Sequence, residues 1–178
     1  MDFISLNYNI FLCITVAIYY ILPKRLRWYS LLAGSFIFYL ISAPNSIIMF
    51  LSMIIISYCS SHIIKRMRLK IYRTCAFIIC IILIVVPLFF SKSTLLRTTF
   101  IVPLGLSFFT LQMIAYISDV YLGKISPQKN FLKYALFISF FPQILQGPIP
   151  GYKQLNSQLL KGHSFNEKKF VKGLLLLL

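Results

Sequence analysis

The sequence predicts an all-α polytopic membrane protein of about five to six transmembrane helices, and three observations predict it. Of 178 residues, 59% are hydrophobic and only 12% charged, which is roughly half the charged share of an ordinary soluble domain. The mean hydropathy is +0.84. Eighteen Lys and Arg stand against three Asp and Glu, for a net charge of +15, and they fall mostly between apolar runs. A soluble enzyme, a disordered chain and a disulfide scaffold are excluded. A pI near 9.9 would ordinarily raise nucleic acid as a partner, but no soluble domain is present to offer a basic patch. Anionic lipid headgroups are the expected counter-charge.

The elements follow in order along one transmembrane domain, 1–178. The first apolar run lacks charge from Phe3 to Pro23, and a span needs about 20 helical residues, so a helix is expected over 3–22. Lys24, Arg25 and Arg27 follow it. Trp28 to Ile64 is also free of Asp, Glu, Lys and Arg but too long for one crossing, and Ala43-Pro44-Asn45 supplies a turn. Helices are expected over 28–42 and 46–64, with Trp28 and Tyr29 as interfacial anchors. After the basic run Lys65, Arg66, Arg68, Lys70 and Arg73 come helices over 74–91, where Pro87 is tolerated near the end, and 98–118. With the basic loops 24–27 and 65–73 in the cytoplasm, the N-terminus and the 42–45 turn lie outside, and Lys124, Lys129 and Lys133 return inside. The expected location is the cytoplasmic membrane.

A sixth helix is expected over 130–141. Pro142, Gly147, Pro148, Pro150 and Gly151 then argue for irregular, re-entrant backbone over 142–151. Such backbone survives at membrane depth only where protein or a watery cavity satisfies it. Residues 152–172 form a polar link on the cytoplasmic side holding five of the eighteen basic residues. Gly173 and five leucines close the sequence; a six-residue helix rises only about 9 Å, so the chain is expected to stop inside a helix. No cleavable signal peptide is expected, because Met1-Asp2 is not a basic n-region. Cys13, Cys59, Cys75 and Cys80 all lie in apolar segments without metal-type spacing and read as packing residues.

Two places could carry chemistry. Stepping by three or four residues along the fifth helix links Gly105, Phe108, Gln112, Tyr116 and Asp119, with Gly123 just beyond. Gln112, Tyr116 and Asp119 are polar side chains on one stripe, and such groups in a membrane helix face the bundle interior or a cavity. Two readings stay open: interhelical hydrogen bonds, with Asp119 paired to a lysine, or the lining of a substrate path. The second place runs from Phe140 to Pro150, where Gln143 and Gln146 bring side-chain amides beside Gly147 and Pro148. It suits a polar headgroup, a thioester or a sugar hydroxyl, and equally a plain re-entrant turn. His62 reads as an interfacial neighbour of Lys65 and His163 as a loop or cap residue. Neither has a carboxylate or second histidine at ligand spacing, so no metal site is expected.

Three stretches occur in order: Val102-Pro103-Leu104-Gly105-Leu106-Ser107-Phe108-Phe109-Thr110-Leu111-Gln112, Tyr116-Ile117-Ser118-Asp119-Val120-Tyr121-Leu122-Gly123, and Phe137-Ile138-Ser139-Phe140-Phe141-Pro142-Gln143-Ile144-Leu145-Gln146-Gly147-Pro148-Ile149. Together they resemble the membrane-bound O-acyltransferases, in the bacterial branch that includes alginate O-acetylases and teichoic-acid D-alanyl transferases. The basic loop after Leu22-Pro23 and the tail from Gln158 through His163 to Gly173 are similar to the same family, and Gln143 favours the alginate-type branch.

The resemblance implies a many-helix funnel that passes an acyl group, acetyl in this branch, from a cytoplasmic thioester or acyl carrier to hydroxyls of an exported or cell-envelope polysaccharide. It also implies other envelope-glycan acetylation proteins as partners, beside membrane lipids, and no bound cofactor. A histidine acts as general base on the acceptor in that scheme. It belongs to the family's second half, beyond Gly173, and neither His62 nor His163 matches it. The chain is therefore expected to be an N-terminal, truncated portion, inactive alone, with Gly105, Gln112 and Asp119 facing helices that it lacks. A non-catalytic transporter subunit, or a scaffold of a glycan-modifying complex, is the competing expectation.

Overall fold

The computed structural model describes residues 6–92, 105–146 and 151–161. Among these the chain is all-helical: α1 (Leu6–Ile21), α2 (Arg27–Ser42), a single 3-10 turn at Pro44–Ser46, α3 (Ile47–Arg66), α4 (Lys70–Lys92), α5 (Leu106–Tyr121), α6 (Phe131–Ser139), α7 (Phe141–Gln146) and α8 (Tyr152–Leu160). Two stretches, Pro44–Arg66 and Lys70–Phe89, are long and apolar enough to cross a membrane, and the apolar Tyr8–Ile21 is shorter. Residues 173–178, the expected helix stub, and His163 lie outside the described residues.

The helices assemble around α5 and α6. α3, α4 and α5 pack against one another, α1 packs on α2, and α6 touches α2, α3, α5 and α8. Tyr39 of α2 stacks on Phe50 of α3 at 4.1 Å between ring centroids, and Phe50 meets Phe109 of α5 edge-on at 5.0 Å. Small residues permit the α1–α2 approach: a Cβ at Gly34 would stand 3.0 Å from Thr15 Cγ2. In contrast to this buried centre, Ile78, Ile79, Ile82, Leu83, Val86 and Phe89 of α4 are exposed, as an apolar helix face directed to lipid would be.

Charged side chains close helix ends. Arg27 donates from Nε to Leu22 O (3.0 Å) and from Nη2 to Tyr20 O (3.4 Å), so it caps the last turn of α1. Arg73 donates from Nη2 to Val120 O (3.4 Å) and to Tyr121 O, at the carbonyl end of α5. There α5 stops in a Schellman arrangement: Gly123, at φ +75°, donates to Val120 O and Lys124 N donates to Asp119 O.

Three expectations need correction. The sixth helix does not run unbroken over 130–141 into irregular backbone from Pro142; it breaks at Phe140 (φ −56°, ψ 100°) and a new helix, α7, begins at Phe141. Pro142 sits in the first turn of α7, where a residue without an N–H is tolerated. Second, the polar link expected over 152–172 begins with a helix, α8, that buries Tyr152, Leu155 and Leu159. This i, i+3, i+7 spacing makes one apolar face that composition alone conceals. Third, only Cys80 is buried; Cys13, Cys59 and Cys75 are exposed and do not pack the core.

Candidate functional site

The candidate site is the place where α5 meets the α6–α7 break. Asn130 opens α6, its Oδ1 accepting from Leu132 N (2.9 Å) and Lys133 N (3.3 Å). From Tyr134 to Ser139 every α6 residue is buried, so this part of the helix is enclosed on all sides. In a continuous helix Phe141 N would donate to Phe137 O. The break at Phe140 separates these two groups, and a different side chain satisfies each: Gln112 Nε2 of α5 donates to Phe137 O at 3.0 Å, and Phe141 N donates to Ser35 Oγ of α2 at 3.4 Å. The Phe141 ring is held beside Tyr8, Phe11 and Phe38, at 6.3, 5.3 and 5.4 Å.

The polar stripe of α5 divides accordingly. Gln112, 1% exposed, faces α6 rather than the absent helices expected for it, because the Phe137 carbonyl freed by the break needs a donor. Tyr116 is also 1% exposed; its hydroxyl accepts from Gln128 N at 2.8 Å, and its ring lies 4.8 Å from Tyr134 and 4.9 Å from Tyr152. Asp119 is partly exposed at the helix end, 3.8 Å from Lys124 Nζ, the pairing its simpler reading expects. Gly105, at φ 71°, is the N-cap of α5.

Gln143 is the third residue of α7, with its N–H donating to Phe140 O at 3.1 Å. Gln146 is the last residue of α7, and its side chain, like all of Gly147 and Pro148, lies outside what the structure describes. His62 Nδ1 lies 3.1 Å from Tyr58 O and 3.4 Å from Ser61 Oγ, and its ring 4.5 Å from that of Tyr58. No carboxylate among these partners orients it as a base.

Several residues at this site escape sequence reasoning. Ser57 Oγ and Tyr134 OH share a 2.6 Å hydrogen bond, Gln128 Nε2 donates to Tyr152 OH at 2.8 Å, and Ser35 holds Phe141. A serine in an apolar helix carries no periodic signal of its own, although Ser35 beside Gly34 marks a small-residue face. Burial holds the Tyr152 phenol well above the ordinary tyrosine range; the neighbouring Tyr116 adds to this and the Gln128 hydrogen bond opposes it.

Chemically, the break is rich in unused acceptors. Gln112 Oε1, Gln143 Oε1, Ser139 Oγ and Thr110 Oγ1 are buried without a partner among the described protein groups. An unsatisfied buried polar atom costs about 1–3 kcal/mol, so α5 to α7 can take hydrogen-bond donors such as hydroxyl or amide groups.

No family profile and no solved structure matches the chain. The probable alginate O-acetylase AlgI of Azotobacter vinelandii is 23% identical over 92% of this chain. The chain is a relative of the bacterial alginate O-acetylases. That is the alginate-type branch of the membrane-bound O-acyltransferases, which the three motifs resemble. The probable alginate O-acetylase AlgI of Pseudomonas aeruginosa is 32% identical over 47% of this chain, and a peptidoglycan O-acetyltransferase of Helicobacter pylori is 38% identical over 34%. The matches span 36%, 16% and 17% of those three proteins, so this chain corresponds to a minor part of each relative's length.

Proposed function

We propose that this chain is part of an O-acetyltransferase that places acetyl groups on hydroxyls of a cell-envelope or exported polysaccharide, working from the cytoplasmic membrane with its N-terminus outside. The observation that carries the reading is similarity to alginate and peptidoglycan O-acetyltransferases, with the α6–α7 break lying in one of the motifs that bears the resemblance. In the reaction a thioester C–S bond breaks, an ester C–O bond forms, and the acceptor hydroxyl proton passes to a base or to the leaving thiolate. The part taken by these residues is binding: Gln112 Oε1 and Gln143 Oε1 accept from N–H or O–H groups of the substrates, Tyr116 ties α5 to the loop at Gln128, and Asp119 pairs with Lys124 at the end of α5. His62 lacks the geometry of a base, with only Tyr58 O and Ser61 Oγ beside Nδ1, and no proton transfer is assigned to it.

Deleting the coding sequence in its source bacterium and measuring base-labile acetate on purified envelope polysaccharide tests the reading. Acetate is expected to fall and to return when the intact gene is restored. Unchanged acetate after deletion would refute the assignment.

A further inference from the structure

The corner joining α3 to α4 has a composition that neither the bundle core nor the proposed transfer explains. Lys65 and Arg66 end α3, Arg68 lies in the three-residue connection, and Lys70 begins α4; all four side chains are exposed. Arg73, one turn further on, points inward to the carbonyl end of α5. Asp119 is the one acidic residue among the described residues, and it faces Lys124. The four cations therefore have no carboxylate to balance them within the described structure. Interleaved with them are exposed apolar and aromatic side chains: Leu69 is 63%, Ile71 69% and Tyr72 60% exposed.

We propose that this corner is a binding site for an anionic glycerophospholipid, whose phosphate is held by Lys65, Arg66, Arg68 and Lys70 while its acyl chains lie along α4. Charge complementarity supplies the headgroup: juxtamembrane Lys and Arg attract acidic lipid surfaces. The flank of α4 supplies the chain contact. Only 11% of the Lys70–Phe89 window is buried, against 33% for Pro44–Arg66, and Ile71, Ile78 and Ile82 follow one another along its exposed side. Tyr72, in the first turn of α4 beside the cations, suits the interfacial position that aromatic rings favour. A soluble acidic protein would match the cations but leave Leu69, Ile71 and the α4 face uncovered. The site lies outside the α5–α7 region and does not depend on the transferase reading.

The test uses the full chain in uncharged detergent micelles carrying either phosphatidylglycerol or phosphatidylcholine, with retained lipid counted by native mass spectrometry. Phosphatidylglycerol is expected to be retained preferentially, and each neutralised cation is expected to weaken that preference about five-fold. The variant Lys65→Gln/Arg66→Gln/Arg68→Gln/Lys70→Gln should lose it, whereas Lys24→Gln/Arg25→Gln/Lys129→Gln/Lys153→Gln, with the same change in charge, should keep it. Equal retention of the two lipids, or equal loss in both variants, would overturn the site. Displacement of the lipid by free glycerol 1-phosphate, or by polyglutamate, at equal concentration would overturn the lipid assignment. Should the corner variant fail to fold, a salt titration of the unmodified chain decides: the preference must fall as sodium chloride rises, and a salt-insensitive preference refutes the proposal.

Discussion

The divided hydrogen bond at the α6–α7 break makes a quantitative prediction. Gln112→Leu removes the donor to Phe137 O, and the orphaned carbonyl costs about 1–3 kcal/mol. The same substitution also removes Gln112 Oε1, itself buried without a partner, which offsets part of that loss and leaves about 1 kcal/mol. Ser35→Ala orphans Phe141 N–H; because that contact is long at 3.4 Å, the loss is again about 1 kcal/mol. Independent sites would add to about 2 kcal/mol. These two are not independent, because the groups they orphan are the two ends of one helical hydrogen bond. In the double variant Phe141 N and Phe137 O can pair with each other as α6 runs on, so the combined loss is expected to be about 1 kcal/mol, with a coupling of similar size. Unfolding of micelle-bound protein by a graded denaturant, followed by far-ultraviolet circular dichroism, measures all four corners of the cycle. Additivity within about 0.4 kcal/mol would refute the account of the break as one bond held apart.

Three further outcomes are expected. Gly34→Ala places a methyl 3.0 Å from Thr15 Cγ2 and should destabilise by about 1–3 kcal/mol; Thr15→Ser in the same chain should recover most of it, and thermal midpoints check both. Arg73→Met removes the donor to two α5 carbonyls and should cost about 1–2 kcal/mol, with faster hydrogen exchange at the end of α5 as its local signature. The folded protein holds the Tyr152 proton that the unfolded chain releases above about pH 10, so this residue's contribution is complete below that pH and is lost as pH climbs further. Thermal midpoints should fall less steeply above pH 10 in Tyr152→Phe, and an unchanged slope would refute the assignment.

Legibility followed physical signal. Long charge-free runs bounded by basic residues announced helices, and the polar stripe of α5 was visible because Gln112 and Tyr116 recur at helical spacing. Interhelical bonding of Gln112 and Tyr116 was one of two open readings, and the expectation that Gln112 faces helices outside this chain was wrong, since Phe137 O and Gln128 N are backbone groups whose availability depends on a break and a loop. The break itself was misplaced by two residues because Pro142 draws attention, yet proline fits a first helical turn and the interruption precedes it. α8 was hidden by its polar composition, although Tyr152, Leu155 and Leu159 carry the period. Gln143 was placed in irregular backbone and instead rides on a helix, while Gly147 and Pro148 lie beyond what the structure describes.

Structural glue and a group that meets substrate are not exclusive readings of Gln112 once the two ends of its carboxamide are separated. Nε2 is committed to Phe137 O, and Oε1 is committed to no described protein group. A continuous α6 would satisfy Phe137 O from Phe141 N without help from any side chain. Holding the two apart instead draws on α5, α2 and the ring cluster around Phe141, and it leaves acceptors on Gln112, Ser139 and Gln143 unsatisfied. Stability alone does not favour that arrangement, and residues that break such rules concentrate at functional sites. The Gln112→Leu/Ser35→Ala chain therefore separates the two contributions: with α6 run straight it should recover stability relative to the sum of its parts, while the polysaccharide acetate it supports in the cell should fall below that of either single variant. Acetate that instead tracks stability across the three variants would mean that the break is packing and nothing more.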